Sequence, residues 1–510
     1  MKTAIHDEGA QTPPPARFNM AAHVLRHADD LPEKPALELL SPGQPAHIWS
    51  FRDVARAVRG LATGLLARGL TPGDHILMRL SNSVDFPITY LACITAGLIP
   101  IPTSSQLTKR EITKIADEIA PKLIIATQGI ALPDHPAPIL NAAQLPALYT
   151  LPPAAFDLGD PNRPAYMIYT SGTSGIPRAV IHAHRAIWAR EMMHEGWYGL
   201  RQNDRLMHAG AFNWTYTLGT GLMDPWSAGA TALIAAEGTS PNEFPALIAK
   251  HNATIFAAVP GVYRQILKQD IPAMPHLRHG LSAGEKLSPA IRAAWNNATN
   301  THIFEAFGMS ECSTFISGSP AHPAPQGALG YPQKGRRVAI LGENGLAARD
   351  EPGILPISAR DNGLMLGYYG APEATKEKFI ETKSGATSEH WFATGDSALM
   401  AQDGAITYLG RADDMMNAGG FRVSPIEIES VFNAHEAIHE SAAVALTVKA
   451  NTTVICLYYT ADAPLAEALL SDIAADTLAR YKQPRKFVHV AQLPKNANGK
   501  LLRKQLREAD

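Results

Sequence analysis

The sequence predicts an α/β fold, with a large multi-sheet N-terminal domain and a small α+β C-terminal domain. Three observations carry that prediction. Helix-like and strand-like stretches alternate from 51 to 127, the same rhythm returns at 245 to 259, and from 394 to 425 the chain turns polar and glycine-rich before a helix and a strand begin again. Alternation of this kind implies βαβ units and a largely parallel sheet.

Taken in order, MKTAIHDEGAQTPPPARF has no apolar core after its lysine, so it is expected to be a mobile leader rather than a signal peptide, and secretion is not indicated. FRDVARAVRGLATGLLARGL reads as an amphipathic helix, TPGD as a turn and HILMRL as a strand. ITYLACITAGLIPIP, at 88 to 102, is the most apolar stretch; it is shorter than the roughly 18 apolar residues a membrane span needs and is broken by glycine and prolines. EITKIADEIA then leads as a helix into KLIIAT, and PALIAKHNA leads into TIFAAV. At 510 residues the chain exceeds one ordinary core. The break falls close to Arg411–Asp414, which divides the chain into 1–410 and 411–510, the second piece being long enough for a small domain. In the tail, LPKNANGKLLRKQLREAD, Asn498-Gly499 marks a turn that presents Lys500 at a loop tip.

A formal net charge of -2 with interspersed signs gives no basic footprint, so nucleic acid is not an expected partner, and no membrane span is predicted. Cys93, Cys312 and Cys456 are scattered and odd in number, which fits neither a disulfide framework nor a zinc spacing. A reducing cytoplasm is the expected setting.

The chemistry begins at YTSGTSGIPRAV, residues 169 to 180. Gly172 and Gly175 permit close backbone approach, Thr170, Ser171, Thr173 and Ser174 supply hydroxyl donors, and Arg178 supplies a cation. That is the composition of a phosphate cradle, although glycine and serine runs are also ordinary linkers. The Walker pattern is absent, because Gly175 is followed by Ile-Pro-Arg. PAYMIY before the loop reads as a strand and AVIHAHRAIWARE after it as a helix, which would set the loop at the positive end of that helix. FEAFGMSEC combines a turn at Gly308 with Ser310 and Glu311, a hard oxygen ligand suited to Mg²⁺ against a triphosphate, while Phe307 offers a face to a base. Its plainer reading is a strand end with a solvated carboxylate. WFATGDSA places Asp396 just after a strand-like segment, where a carboxylate can accept two ribose hydroxyls, though a lone Thr-Gly-Asp is more often only a turn.

Together and in order, the 169 loop, Gly308 with Glu311, TGD at 394, GRADD at 410 and PKNANGK at 494 resemble the adenylate-forming, AMP-binding superfamily of acyl- and aryl-CoA synthetases, with the look of benzoate-type aryl-CoA ligases. The resemblance implies an N-terminal domain whose sheets are sandwiched by helices, and a mobile C-terminal lid hinged at Asp413. It implies two half-reactions: a carboxylate attacks the α-phosphate of ATP to give an acyl-AMP and pyrophosphate, and a thiol then displaces AMP. By the same resemblance Lys500 bridges the carboxylate and the α-phosphate, Ser310 touches that phosphate, and the 170–178 loop with Arg178 holds the pyrophosphate. Glu311 ligates Mg²⁺, Asp396 and Arg411 hold the ribose, and Gly284, Glu285, Glu305, Ala306 and Phe307 surround the adenine. The chain departs from the common pattern at Arg178, usually Lys, and at Phe307 and Ser310, usually Tyr and Thr. A forked donor replaces a compact one, and a stacking face and a hydroxyl are kept.

Amino-acid adenylating relatives carry Phe-Asp where this chain has Phe212-Asn213, so no counter-charge awaits a substrate ammonium. Phe212 and Trp214 suggest an aromatic-lined pocket for an aromatic or short to medium apolar carboxylic acid, with core packing the plainer reading of Phe212. NAGGFRVSP resembles the form in CoA ligases, Gly419 and Gly420 letting the pantetheine arm of coenzyme A pass close to backbone. With no carrier-protein module after Asp510, free CoA is the expected acceptor and a separate carrier protein the alternative. A nucleotide-binding protein without catalysis and an ADP-forming kinase are the readings from other classes, and a homodimer is left open.

Overall fold

In the 9-stranded sheet that dominates the molecule, five neighbouring pairings are parallel. The computed structural model describes residues 2–9, 11–170, 178–384, 387–418, 421–449, 452–495 and 501–507. From one edge, that sheet runs Tyr331–Pro332, Ser313–Ser317, His302–Met309, His279–Ala283, Ile255–Ala258, Arg205–His208, Thr231–Ala235, Pro35–Leu40, His47–Ser50. Strands such as Ile255–Ala258 and Thr231–Ala235 are buried throughout, as expected where helices cover a parallel sheet.

A second, 4-stranded sheet carries the alternation of the 51–127 region, with His75–Arg79 paired in parallel to Ile99–Pro102 and Leu123–Ala126. Its helices start where local chemistry tells them to. Ser50 and Asp53 form a reciprocal cap at Phe51–Leu66, and Thr108 and Glu111 do the same at Lys109–Ile119. Between them Asp85–Thr95 is apolar on all sides and is buried from Phe86 to Thr95.

An 8-stranded antiparallel sheet built on Pro352–Ser358 and Thr387–Met400 completes the N-terminal part, together with a 3-stranded antiparallel sheet of Pro164–Thr170, Arg178–Ala183 and Gly367–Tyr368. After Arg411, where Ile406–Arg411 leaves the larger of these sheets, the chain forms a hairpin, Met416–Ala418 with Phe421–Val423, and then a separate small core. Here Pro425–Phe432 and Glu467–Thr477 pack on a 3-stranded sheet of Glu440–Lys449, Thr452–Thr460 and Lys486–His489. This is an α+β arrangement.

The expected mobile leader is corrected. Ile5–His6 pairs with Val338–Ala339, the Ala4 amide donates 2.9 Å to the Ala347 carbonyl, and Arg349 donates 2.9 Å to the carbonyls of Thr3 and Ile5. Backbone pairing does not need the apolar pattern that the leader lacks. No helix among the described residues is long and apolar enough to cross a membrane.

Candidate functional site

Residues 171–177, with Ser171, Gly172, Thr173, Ser174 and Gly175, lie outside the described residues. The flanking residues correct the expected strand-to-helix setting. Pro164–Thr170 and Arg178–Ala183 are antiparallel neighbours with Thr170 opposite Arg178, and the helix begins later, at Ala186. In AVIHAH the β-branched Val180 and Ile181 favour extension, and the edge strand Gly367–Tyr368 completes their ladder.

That edge strand assembles one half of the site. The Arg178 guanidinium lies 5.2 Å above the Tyr368 ring, and the Tyr368 hydroxyl donates a 2.7 Å hydrogen bond to Glu311 Oε1. Burial, reinforced by the Glu311 charge, pushes the Tyr368 phenol well above its ordinary range, so it stays a donor. Arg178, the candidate phosphate cation, and Glu311, the candidate metal ligand, are thus joined through a residue the sequence reading missed. Nothing local marks Tyr368, whose partner is 57 positions away.

Ser310 and Glu311 sit in the turn between His302–Met309 and Ser313–Ser317. Gly308 makes that turn possible, because a Cβ there would lie 2.2 Å from the Ser313 carbonyl oxygen and 2.4 Å from the Thr314 Cα. The ladder shifts register between Phe307 and Gly308, which re-aims the residues that follow. The Ser310 carbonyl accepts 2.7 Å from His182 Nε2, another partner that the sequence reading missed.

The second half gathers around Asp396. Phe307 lies 5.3 Å from the Tyr408 ring, the Tyr408 hydroxyl donates 2.9 Å to Asp396 Oδ1, and Arg411 stands across the ladder from Asp396 with its guanidinium at 3.4 Å. The strand Thr387–Met400 runs through Asp396 instead of ending before it. Gly395, at φ +80, leaves room for Arg411, whose Nη2 would lie 2.6 Å from a Cβ. Asp413 is exposed and accepts 3.3 Å from Arg411 Nε.

Glu305 is buried with its carboxylate turned to the neighbouring loop: Oε1 accepts 2.9 Å from the Leu287 amide and Oε2 3.1 Å from Arg292. Burial raises its pKa, and these two contacts oppose the rise. Glu305 therefore anchors the loop that contains Gly284 and Glu285, while the buried Ala306 lies beside it in the strand. The Trp214 indole packs over Gly284, 3.2 Å from where a Cβ would stand, and lies edge-on to Tyr216 at 5.5 Å. Phe212 is in the core, stacked on Phe86 at 5.4 Å. Gly419, Gly420 and Lys500 lie outside the described residues.

The AMP-binding enzyme pattern matches residues 24–369, and the AMP-binding enzyme C-terminal domain pattern matches residues 427–500. The chain belongs to the AMP-binding enzyme family. It is 30% identical to a benzoate–CoA ligase of Thauera aromatica, over 90% of this chain and 91% of that one. It is 27% identical to a 3-hydroxybenzoate–CoA ligase of Aromatoleum sp. (strain CIB), over 95% of this chain and 97% of that one. Among solved structures it superposes on a benzoate CoA ligase from Burkholderia xenovorans LB400 with a TM-score of 0.83 at 25% identity, covering 96% of this chain and all of that one. As in other AMP-binding enzymes of the adenylate-forming type, a large N-terminal domain precedes a smaller C-terminal one.

Proposed function

We propose that this AMP-binding enzyme is an acid–CoA ligase that activates an aromatic or short to medium apolar carboxylic acid. The acid carboxylate attacks the α-phosphorus of ATP, the bond to the bridging oxygen breaks, and pyrophosphate leaves. The thiol of CoA then adds to the carbonyl of the acyl-AMP, and AMP leaves with the electron pair of the broken C–O bond. A carboxylate is a poor electrophile, and AMP makes its oxygen a leaving group. Because anion meets anion in the first step, positioned cations and donors are what the reaction needs, not a covalent nucleophile.

The observation that carries the reading is the meeting of Arg178, Tyr368 and Glu311 beside Ser310, with Asp396, Tyr408 and Arg411 joined to the same strand through Phe307. In this assignment Arg178 and the 170–175 segment hold the departing pyrophosphate, Ser310 contacts the α-phosphate, and Lys500 draws the attacking carboxylate and that phosphate together. Asp396 and Arg411 hold the ribose, and Gly284, Glu285, Ala306 and Phe307 border the adenine. Gly308 shapes the turn, and Trp214 walls the acid side. Gly419 and Gly420 let the pantetheine arm pass, and Asp413 is the hinge between domains 1–410 and 411–510. One carboxylate completed by substrate phosphates is a sufficient protein ligand for Mg²⁺, so Glu311, oriented by Tyr368, fits that ion; when bound it offsets triphosphate charge. Scattered cysteines support a cytoplasmic setting.

Release of AMP and pyrophosphate, measured over a carboxylate panel with and without CoA, tests the proposal. Acid- and CoA-dependent AMP with matching thioester supports it. ADP would point to a kinase, and acyl transfer only to a supplied carrier protein would point to the alternative acceptor.

A further inference from the structure

The N-terminal segment also reaches the loop that leads to Tyr368. Its Gln11 side-chain amide meets two consecutive residues there: Nε2 donates 3.0 Å to Asp361 Oδ2, and Oε1 accepts 2.9 Å from the Asn362 amide. We infer that Gln11 is a positioning residue for Glu311 and Tyr368, acting through the stretch 361–368. The inference rests on the ligase reading above, in which Glu311 is the protein ligand of Mg²⁺.

Between the strands Pro352–Ser358 and Gly367–Tyr368 the chain makes only turns, so side chains fix its course. Asp361 is central to them. Its carboxylate is fully buried; Oδ1 pairs with the equally buried Arg336 and accepts 2.7 Å from the Gly363 amide, while Oδ2 is the atom that Gln11 meets. Arg185 adds a 2.8 Å hydrogen bond to the Leu364 carbonyl. Gly363 lies close to the turn of the site, since a Cβ there would stand 3.0 Å from the Cys312 carbonyl oxygen. The Met365 amide then donates 2.7 Å to the Glu311 carbonyl, the Leu366 amide donates 2.8 Å to the Ile181 carbonyl, and the Tyr368 hydroxyl reaches Glu311 Oε1. One stretch therefore holds Glu311 both by its main chain and by its carboxylate.

A primary amide suits the start of this stretch. It carries a donor and an acceptor side by side, so it can meet a carboxylate oxygen and a backbone N–H at once. Nε2 also approaches Met192 Sδ at 3.7 Å. Methionine at position 11 would keep the shape of the side chain and form neither bond. Glutamate would keep its length and the bond to Asn362, but would set a second carboxylate against Asp361. Both changes slacken the residues that lead to Glu311. Asp396 and Arg411, the candidate ribose contacts, pair with each other across a different sheet and are not reached by this stretch. A defect at Gln11 is accordingly selective for the metal-dependent part of nucleotide binding.

Calorimetric titration of the full chain with ATP, in excess Mg²⁺ and in EDTA, tests this without turnover. The quantity read is the ratio of the two affinities, in which contacts to base and ribose cancel. Changes along a packed network commonly alter coupling by about 0.5–2 kcal/mol, so the ratio is expected to fall about fivefold or more in Gln11→Met and in Gln11→Glu. A ratio unchanged in both variants, including one where the two affinities fall equally, shows a merely structural role and overturns the inference while the ligase reading stands. Wild-type ATP binding that Mg²⁺ does not strengthen also overturns the inference alone. No ATP binding by wild-type protein overturns both. Should Gln11→Met not fold, Gln11→Glu, which keeps the bond to Asn362, supplies the same comparison.

Discussion

Tyr368 joins Arg178 to Glu311: its hydroxyl donates 2.7 Å to the carboxylate while its ring lies 5.2 Å beneath the guanidinium. One side chain thus orients both a candidate metal ligand and a candidate phosphate cation. Replacing it with phenylalanine separates the two roles, because the ring remains and the hydrogen bond goes. Loss of a partner that orients a metal ligand typically costs about 10–100-fold in metal affinity or activity. Tyr368→Phe is expected to lower acid-dependent AMP formation within that range and to raise the Mg²⁺ concentration for half-maximal rate. An unchanged Mg²⁺ dependence would remove Tyr368 from this role.

Gly308 supports the same turn through space, not charge. A methyl at this position would press on the backbone of Ser313 and Thr314, which cannot rotate away. Overpacking commonly costs about 1–3 kcal/mol, and the contact here is with main chain. Gly308→Ala is expected to lower unfolding free energy by about 2 kcal/mol or more, with loss of activity from displacement of Ser310 and Glu311. A variant with wild-type urea midpoint and rate would contradict the packing account.

How much of this was legible beforehand differs from element to element. The 51–127 alternation was readable because its helices carry their own start signals, such as Ser50 with Asp53 and Thr108 with Glu111, and because Leu123–Ala126 is a short apolar run. Arg178–Ala183 was misread because AVIHAHRAIWARE has no cap to mark where a helix begins; Arg185 precedes Ala186 without a side-chain cap, and the strand depends on the distant Gly367–Tyr368. The candidate site followed the same rule. Glu311, Asp396 and Arg411 are marked by local sequence, whereas Tyr368, Tyr408 and His182, which reach Glu311, Asp396 and the Ser310 carbonyl across the fold, have ordinary surroundings in sequence. Phe212 was ambiguous because an aromatic looks alike in a pocket and a core, and its ring stacks on Phe86.

The C-terminal domain is tied to the N-terminal domain by an ion cluster. Glu440, at the start of Glu440–Lys449, accepts 2.6 and 2.8 Å from Lys495, which precedes the segment bearing Lys500, and pairs with Arg264 of Pro260–Ile266. A partly exposed pair contributes up to about 1 kcal/mol, enough to move a docking equilibrium roughly fivefold. Glu440→Ala is expected to speed proteolytic cutting between 411 and 424 severalfold with little change in N-terminal domain stability. An unchanged cutting rate would show that the cluster does not restrain the C-terminal domain.

Three buried histidines make stability fall in acid. Burial lowers the pKa of His182 to about 4, and those of His184 and His208 to about 3, all below the unfolded value of 6.5. The unfolded chain therefore binds more protons below pH 6.5, so the stability is complete above that value and is lost as pH falls toward 4 and below. Each histidine contributes at most about 1.4 kcal/mol per pH unit in that window. The urea midpoint is expected to be lower at pH 5 than at pH 7.5; a flat or rising midpoint would contradict the neutral burial of these side chains.

Formation of an acyl-AMP is the central claim, and acid-dependent exchange of labelled pyrophosphate into ATP without CoA reads it directly. Wild-type protein is expected to exchange only when a suitable carboxylic acid is present, and Lys500→Ala to exchange at about 1% of that rate or less. Acid-independent exchange, ADP in place of AMP, or full exchange by Lys500→Ala would contradict the account.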